Sequence, residues 1–324
     1  MKRILSVAIL GTSFLSTLNS CSGNYDEYTD DLSDGLNNTD EITEDYNGFQ
    51  LMETSCFSCH SPNAGNEAIA APNMANVKQH YLDKYPNEEE FVEAIVAFIS
   101  EPSEEKALMS DAIEKFGVMP NMGLNKAQNT AVAQYLFSSS IQDSNWFAQS
   151  YELEKAKNLV NPEDMSYVDR GFQFAMSTKS ILGKNLKGKI KAEGTDGALE
   201  FCNVQALPLT DSMATEFGVK IKRVSDKNRN PLNAANEEEL KIIASFKEFL
   251  TKGEEIIPTT IEGDEFVTGY YPITTNQMCL HCHGGEKDIK SSTAALIKEK
   301  YPSDKATAYG VNELRGIWVV EMKK

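Results

Sequence analysis

Residues 277–284 read Gln-Met-Cys-Leu-His-Cys-His-Gly, with two cysteines two residues apart and a histidine directly after the second. The same spacing occurs at residues 56–60, which read Cys-Phe-Ser-Cys-His, so each half of the chain carries C-x-x-C-H once. In this attachment sequence two thiols form thioethers with the porphyrin vinyl groups, and the adjacent imidazole becomes the proximal iron ligand. We therefore expect two covalently bound c-type haems. The predicted attachment residues are Cys56, Cys59, Cys279 and Cys282, and the predicted proximal ligands are His60 and His283.

Two other readings of the motif are a redox-active C-x-x-C disulfide and part of a zinc site. Zinc needs further cysteine or histidine ligands near each motif, and each half offers only one spare. A disulfide gives no reason for histidine after the second cysteine in both halves. The other two histidines are His80 and His281, and His281 lies between the cysteines of its own motif. Two bis-histidine haems are therefore not expected.

The length of 324 residues favours two domains. The formal net charge is −17, and 41% of the residues are hydrophobic against 24% charged. This composition supports ordinary folded cores and excludes a surface that binds nucleic acid.

The N-terminus has the pattern of an export signal. The apolar residues 4–18 follow Lys2 and Arg3, and this stretch is shorter than the roughly 20 residues of a membrane-spanning helix. The sequence Leu-Asn-Ser-Cys at residues 18–21 resembles a bacterial lipobox, which implies a lipoprotein signal peptide over residues 1–20 and lipidation of Cys21. The alternative is an ordinary signal peptide with a free Cys21. Residues 22–45 contain nine acidic residues and no basic one, so residues 21–45 are predicted to be a flexible tether.

Helical patterns dominate residues 46–140. Phe91, Ile95 and Phe98 recur at helical spacing after a capping pair of Asn87 and Glu90, and further helices are predicted over residues 103–117 and 125–137. We expect an all-helical haem domain over residues 46–140, followed by a linker over residues 141–160.

Residues 161–324 combine helical and strand patterns. Helices are predicted over residues 169–191, 196–217 and 237–250. Residues 256–261, 266–273 and 316–322 are rich in β-branched and aromatic side chains, as strands are. The predicted fold is therefore multidomain, an all-α domain followed by an α+β domain with an antiparallel sheet.

The first half resembles class I cytochrome c. The resemblance rests on the C-x-x-C-H motif, on Met119-Pro120 in a loop, and on a last helix that contains Gln-Tyr-Leu at residues 134–136. It implies a cytochrome c-like domain with Met119 as the second iron ligand. Met122 and His80 are the rival ligands.

The second half resembles a bacterial family of exported PAS-like c-haem domains. The resemblance rests on residues 197–202, 222–225, 229–233, 271–273, 279–284 and 301–304. It implies an antiparallel sheet flanked by helices, with His283 and Cys202 as axial ligands. From the residues alone, Cys202 lies on the apolar face of a helix, where a buried thiol is the alternative. Arg223 and Arg229 are candidate partners of the haem propionates, and structural ion pairs are their alternative.

These features predict a dihaem electron carrier that exchanges single electrons with exported redox proteins such as other cytochromes, an oxidase or a reductase. We expect it in the bacterial cell envelope, held to the membrane only by the lipid on Cys21, with the outer membrane or cell surface favoured. One alternative is a haem-based redox or gas sensor. Another is a thiolate-ligated haem enzyme that acts on small inorganic substrates.

Overall fold

The computed structural model describes residues 46–60, 71–119, 121–143, 145–158 and 160–324. The predicted signal peptide, the lipidated Cys21 and the acidic tether lie outside these residues, as does Pro120 of the predicted ligand loop. In the described part of the chain, none of the helices combines the length and the apolar character needed to cross a membrane.

The N-terminal region, residues 46–158, is helical where it is described. Four helices of this region start at an asparagine whose side chain accepts a hydrogen bond from a backbone N–H of the helix that follows. These caps are Asn47, Asn73, Asn87 and Asn125. The helices are α1 (Gly48–Ser55), α2 (Phe57–His60), α3 (Met74–Lys84), α4 (Glu88–Ser100), α5 (Ser110–Phe116), α6 (Lys126–Ser138), α7 (Trp146–Gln149) and α8 (Tyr151–Lys157).

Helices α1, α4 and α6 form the centre of this region. The side chains of Phe49 and Phe91 are almost fully buried, and Phe91 packs edge-on against Phe137 with ring centroids 5.3 Å apart. Helix α1 crosses α6 closely at Gly48, where an added Cβ would lie 2.2 Å from the Ala131 carbonyl oxygen. Aromatic burial and this close crossing therefore place α1, which leads into the first C-x-x-C-H motif, against α6.

Two segments differ from the sequence prediction. The prediction of a helix over residues 103–117 is wrong for the first half of that range, because the helix begins only at Ser110. Before it, a hydrogen bond from Ala107 N–H to Glu104 C=O closes a single turn. In the segment predicted as a linker, Trp146 and Phe147 are buried, and Phe147 packs edge-on against Phe57 with centroids 4.9 Å apart. Helices α7 and α8 therefore cover the first motif.

The C-terminal region, residues 160–324, contains three helices longer than nine residues and a four-stranded sheet. The strands pair antiparallel in the order β1-β4-β3-β2. The elements are α9 (Tyr167–Phe217), β1 (Lys220–Val224), α10 (Glu237–Lys252), β2 (Thr259–Glu262), β3 (Phe266–Thr274), α11 (Gln277–His283), α12 (Ser291–Lys300) and β4 (Leu314–Lys323). The predicted fold class, an all-α domain followed by an α+β domain with an antiparallel sheet, is confirmed.

Helix α9 is 51 residues long and joins the two stretches that the sequence analysis predicted as separate helices. Its backbone leaves helical geometry at Gly194, where φ is 71°, a value that glycine adopts without steric cost. The chain thus changes direction at Gly194 without an intervening loop.

The two faces of the sheet pack against different helices. Ile242, Ile243 and Phe246 of α10 cover the face that carries Ile317 and Val319. The other face carries Tyr271 and Trp318 and packs against the first half of α9. Buried residues of that face belong to the same hydrophobic cluster as Phe49 and Phe91, so the N- and C-terminal regions share a continuous core.

Candidate haem-binding site

The second C-x-x-C-H motif forms the short helix α11, which begins one turn after strand β3 ends. The Asn276 side chain accepts a hydrogen bond from Cys279 N–H at 3.3 Å and so caps this helix. His283 Nδ1 lies 2.7 Å from the Ala306 carbonyl oxygen. Because a carbonyl only accepts, Nδ1 carries the proton and Nε2 keeps its lone pair.

Burial and the positive charges of Arg315 and Arg229 hold the pKa of His283 well below its usual value. The imidazole is therefore neutral, which is the form that binds iron. A hydrogen bond from the second ring nitrogen to a backbone carbonyl is the usual device that orients a metal-binding histidine. His283 thus fits the role of a proximal ligand.

An ion pair holds the loop that accepts this hydrogen bond. Arg229 Nη2 lies 3.0 Å from Asp304 Oδ2, and both side chains are at most 9% exposed. The same nitrogen donates to Cys282 C=O at 2.7 Å and to Ala306 C=O at 3.2 Å. Arg229 therefore ties the motif helix to the loop that orients its histidine.

The first motif repeats this arrangement on α2. His60 Nδ1 lies 2.7 Å from the Pro72 carbonyl oxygen, and burial lowers the pKa of His60. Burial and the neighbouring Cys59 raise the pKa of Cys56 to about 12. In the described residues all five cysteines are free, which leaves the four motif thiols available for thioether bonds. The donor set of both motifs fits a covalently attached haem.

Cys202 lies on α9, which packs against α11. Burial raises the pKa of Cys202, while the neighbouring Arg223 and Arg229 act to lower it. Cys202 in turn helps to raise the pKa of Cys282, so the two sulfurs share one electrostatic environment. Helix α9 thus brings Cys202 to the second motif from a position 80 residues earlier in the chain.

The two arginines that the sequence analysis singled out differ in their partners. Arg229 makes the ion pair with Asp304, which is the structural alternative stated for it. Arg223 Cζ lies 5.4 Å from the ring centroid of Trp318, and Arg223 faces no carboxylate among the described residues. Arg223 is therefore the better placed of the two to meet an anionic group near Cys202.

The predicted ligand loop of the first motif lies between α5 and α6. Met119 is half-buried there, and Asn121 Nδ2 donates to Ser100 C=O at 2.7 Å, which fixes the loop to the end of α4. His80 is exposed on α3, with Nδ1 2.9 Å from the carbonyl oxygen of Asn76 in the same helix. His281 is also exposed. Both spare histidines are therefore exposed to solvent.

The sequence analysis missed three basic residues at these sites. Lys187 Nζ lies 2.6 Å from Cys59 Sγ, and Lys179 is close enough to Cys279 for that thiol to affect its pKa. Arg315 donates to Ser225 Oγ at 2.9 Å and places Nε 3.4 Å from His283 Nδ1. Their sequence signal is weak, because the two lysines belong to a run of basic residues and Arg315 precedes a strand-like segment without a motif.

Two family models match the chain, and their matches overlap over residues 124–140. A model of cytochrome c matches residues 46–140, and the model of the Tll0287-like family matches residues 124–322. An uncharacterized protein of Aquifex aeolicus (strain VF5) is 32% identical over 108 residues, which cover 28% of this chain and 71% of that protein. The crystal structure of the cyanobacterial heme-protein Tll0287 aligns with a TM-score of 0.37 and 22% identity over 51% of this chain and 98% of its own.

Replacement of Asp304 tests the ion pair beneath the second motif. We expect Asp304→Asn to lower the free energy of unfolding by about 3 kcal/mol, because it leaves the buried Arg229 charge unpaired. The measurement is denaturant unfolding of the haem-loaded protein. Glu248→Gln breaks the exposed pair with Lys252 and is the control, with an expected loss below about 0.5 kcal/mol. Equal losses in the two variants would contradict a structural role for the Asp304 pair.

Proposed function

Because the chain belongs to the Tll0287-like family over residues 124–322 and matches cytochrome c over residues 46–140, it is a haem-binding cytochrome, and we propose that it is a dihaem electron carrier. In this role the protein accepts one electron from a donor protein and passes one electron to an acceptor. No bond to a substrate is made or broken.

One observation carries the proposal: both C-x-x-C-H motifs present a neutral histidine with Nδ1 bonded to a backbone carbonyl. The distances are 2.7 Å at His60 and 2.7 Å at His283. Each motif is thus prepared to attach and ligate one haem. A bound c-type haem would supply an iron that gains and loses a single electron.

The first half of α9 passes both motifs, which supports electron exchange between them. Lys187 contacts Cys59 of the first motif, and Lys179 lies within electrostatic range of Cys279 of the second. Lys187 follows Lys179 by eight positions, which at 1.5 Å per residue is about 12 Å of helix. The attachment sites therefore lie in one compact region of the shared core.

We further propose that Met119 completes the first site and Cys202 the second. A thioether ligand stabilises ferrous iron and a thiolate stabilises ferric iron, so the first haem has the higher reduction potential. The exposed position of His80 supports Met119 over this rival. Burial raises the pKa of Cys202 although Arg223 and Arg229 oppose this rise, so the support for Cys202 is its place beside Cys282 on the helix that packs against α11.

The partners and the location follow from the sequence. We propose that donor and acceptor are exported redox proteins and that a lipid on Cys21 holds the protein in the bacterial cell envelope, with the acidic residues 21–45 as a tether. The net charge of −17 disfavours direct contact with anionic lipid, so the folded part stands away from the bilayer.

The number of haems tests the dihaem proposal. We expect two covalent haems per chain in the full-length protein, measured by pyridine haemochrome absorbance and by mass. Cys56→Ala with Cys59→Ala leaves one, and so does Cys279→Ala with Cys282→Ala, because each motif attaches its own haem. Leu153→Ala, at an exposed side chain, is the control that keeps two. A single haem in the unmodified chain would refute the proposal.

The role of Cys202 is tested by an optical redox titration of the full-length holoprotein. We expect two separate one-electron waves, and Cys202→Ala should move only the lower wave upward because a donor to ferric iron is lost. Val204→Ala, at an exposed residue on the same helix, is the control and leaves both waves in place. If Cys202→Ala leaves the lower wave where it was, Cys202 is not an iron ligand.

A further inference from the structure

Lys179 lies at the meeting point of the two candidate haem sites. Its Nζ donates to the Met122 carbonyl oxygen at 2.9 Å, so it holds the loop that carries Met119. Cys279 of the second motif and Lys187 beside the first both affect its pKa. A single side chain of the C-terminal region thus contacts the ligand loop of the N-terminal region and lies within electrostatic range of Cys279 on its own attachment helix.

The C-terminal region also touches this ligand loop elsewhere. An added Cβ at Gly123 would lie 3.9 Å from Thr274 Oγ1 at the end of β3, two residues before the cap of α11. Lys126 N–H donates to Glu255 Oε1 at 2.7 Å. The loop that contains Met119 therefore packs between the α4 end and the strand that leads into the second motif.

The charge of Lys179 is not neutralised by a neighbouring acid. Among the described residues its ammonium has no carboxylate partner, and the groups that act on it are a carbonyl, a thiol and another lysine. Burial lowers its pKa to about 8, so most of the charge remains at pH 7. Lys179 is half-buried, and an ammonium held partly away from water without a pairing charge is costly to keep, which points to a use for the charge.

We propose that Lys179 is a positioning residue shared by the two haem sites: it fixes the Met119 loop through Met122 C=O and places one positive charge between the two motifs. This inference rests on the proposed dihaem function. The charge acts on both irons, since a nearby cation disfavours the ferric state and raises the reduction potential. The hydrogen bond acts on the first site alone, because only that site draws its second ligand from this loop.

Two neutral variants separate the charge from the hydrogen bond. Lys179→Gln removes the charge and keeps an N–H donor, whereas Lys179→Met removes both. We expect either variant to lower both reduction potentials. For the second haem the equilibrium constant for reduction should fall about tenfold, which corresponds to a potential lower by about 59 mV for one electron. Lys179→Met should also weaken the sulfur-to-iron charge-transfer band of the first haem. Lys184→Met, at an exposed lysine of the same helix, is the matched control with no expected change in either quantity.

The experiment is an optical redox titration of full-length holoprotein, with the covalent haems counted in every variant. If Lys179→Met does not fold, Lys179→Gln still tests the charge. The shared role would be overturned if Lys179→Gln left the equilibrium constants for reduction of both haems unchanged within threefold. A change in the equilibrium constant of one haem only would also overturn it. In either case two haems in the unmodified chain leave the proposed function standing. Fewer than two haems in the unmodified chain would overturn the function and the inference together.

Discussion

The structure depends on the close contact between helix α9 and the sheet at Gly171. An added Cβ at this glycine would lie 2.1 Å from the hydroxyl oxygen of Tyr271, which is fully buried and donates to Val168 C=O at 2.9 Å. The Tyr271 side chain of β3 therefore packs directly against the backbone of α9 at Gly171. This contact fixes the first half of α9, which carries Lys179 and Lys187, and the change of direction at Gly194 sets the course of the second half, which carries Cys202.

The two candidate sites share one chemical device and differ in what surrounds it. Each motif presents a neutral histidine bonded through Nδ1 to a carbonyl, at Pro72 in one case and Ala306 in the other. The predicted ligand loop of the first site, residues 117–125, has no charged residue of its own, and the basic groups near that site are Lys179 and Lys187 of α9. The second is surrounded by Arg223, Arg229 and Arg315, basic groups concentrated at one place in an acidic chain. These three cations would raise the reduction potential of a haem held there, so the lower potential proposed for the second site would come from Cys202.

Much of the fold was predictable because its signals are local. Asn87 and Asn125 cap helices as their sequence neighbours suggest, and β3 and β4 contain the β-branched and aromatic runs that predict strands. Packing that depends on distant residues was not predictable. Trp146 and Phe147 lie in a segment that the sequence marks as a linker, yet the aromatic cluster around Phe57 gives them a buried place.

The candidate site was predictable to a similar extent. The cysteines and histidines of the motifs are fixed by spacing, whereas Cys202 required a family resemblance, because a lone cysteine on a helix is typically a small buried residue. Lys179 and Lys187 carry no signal, since lysines in a helix usually face solvent. Only the fold shows that one face of α9 turns these two toward the motifs.

We propose that one folded body holds two haems close enough to exchange electrons within the chain. The most direct test is a pulse of reductant that supplies less than one electron per chain of full-length holoprotein, followed by the absorbance of each haem in time. We predict that the electron redistributes between the two haems at a first-order rate that is independent of protein concentration. A redistribution rate that rises in proportion to protein concentration would contradict the account, because exchange would then occur only between molecules.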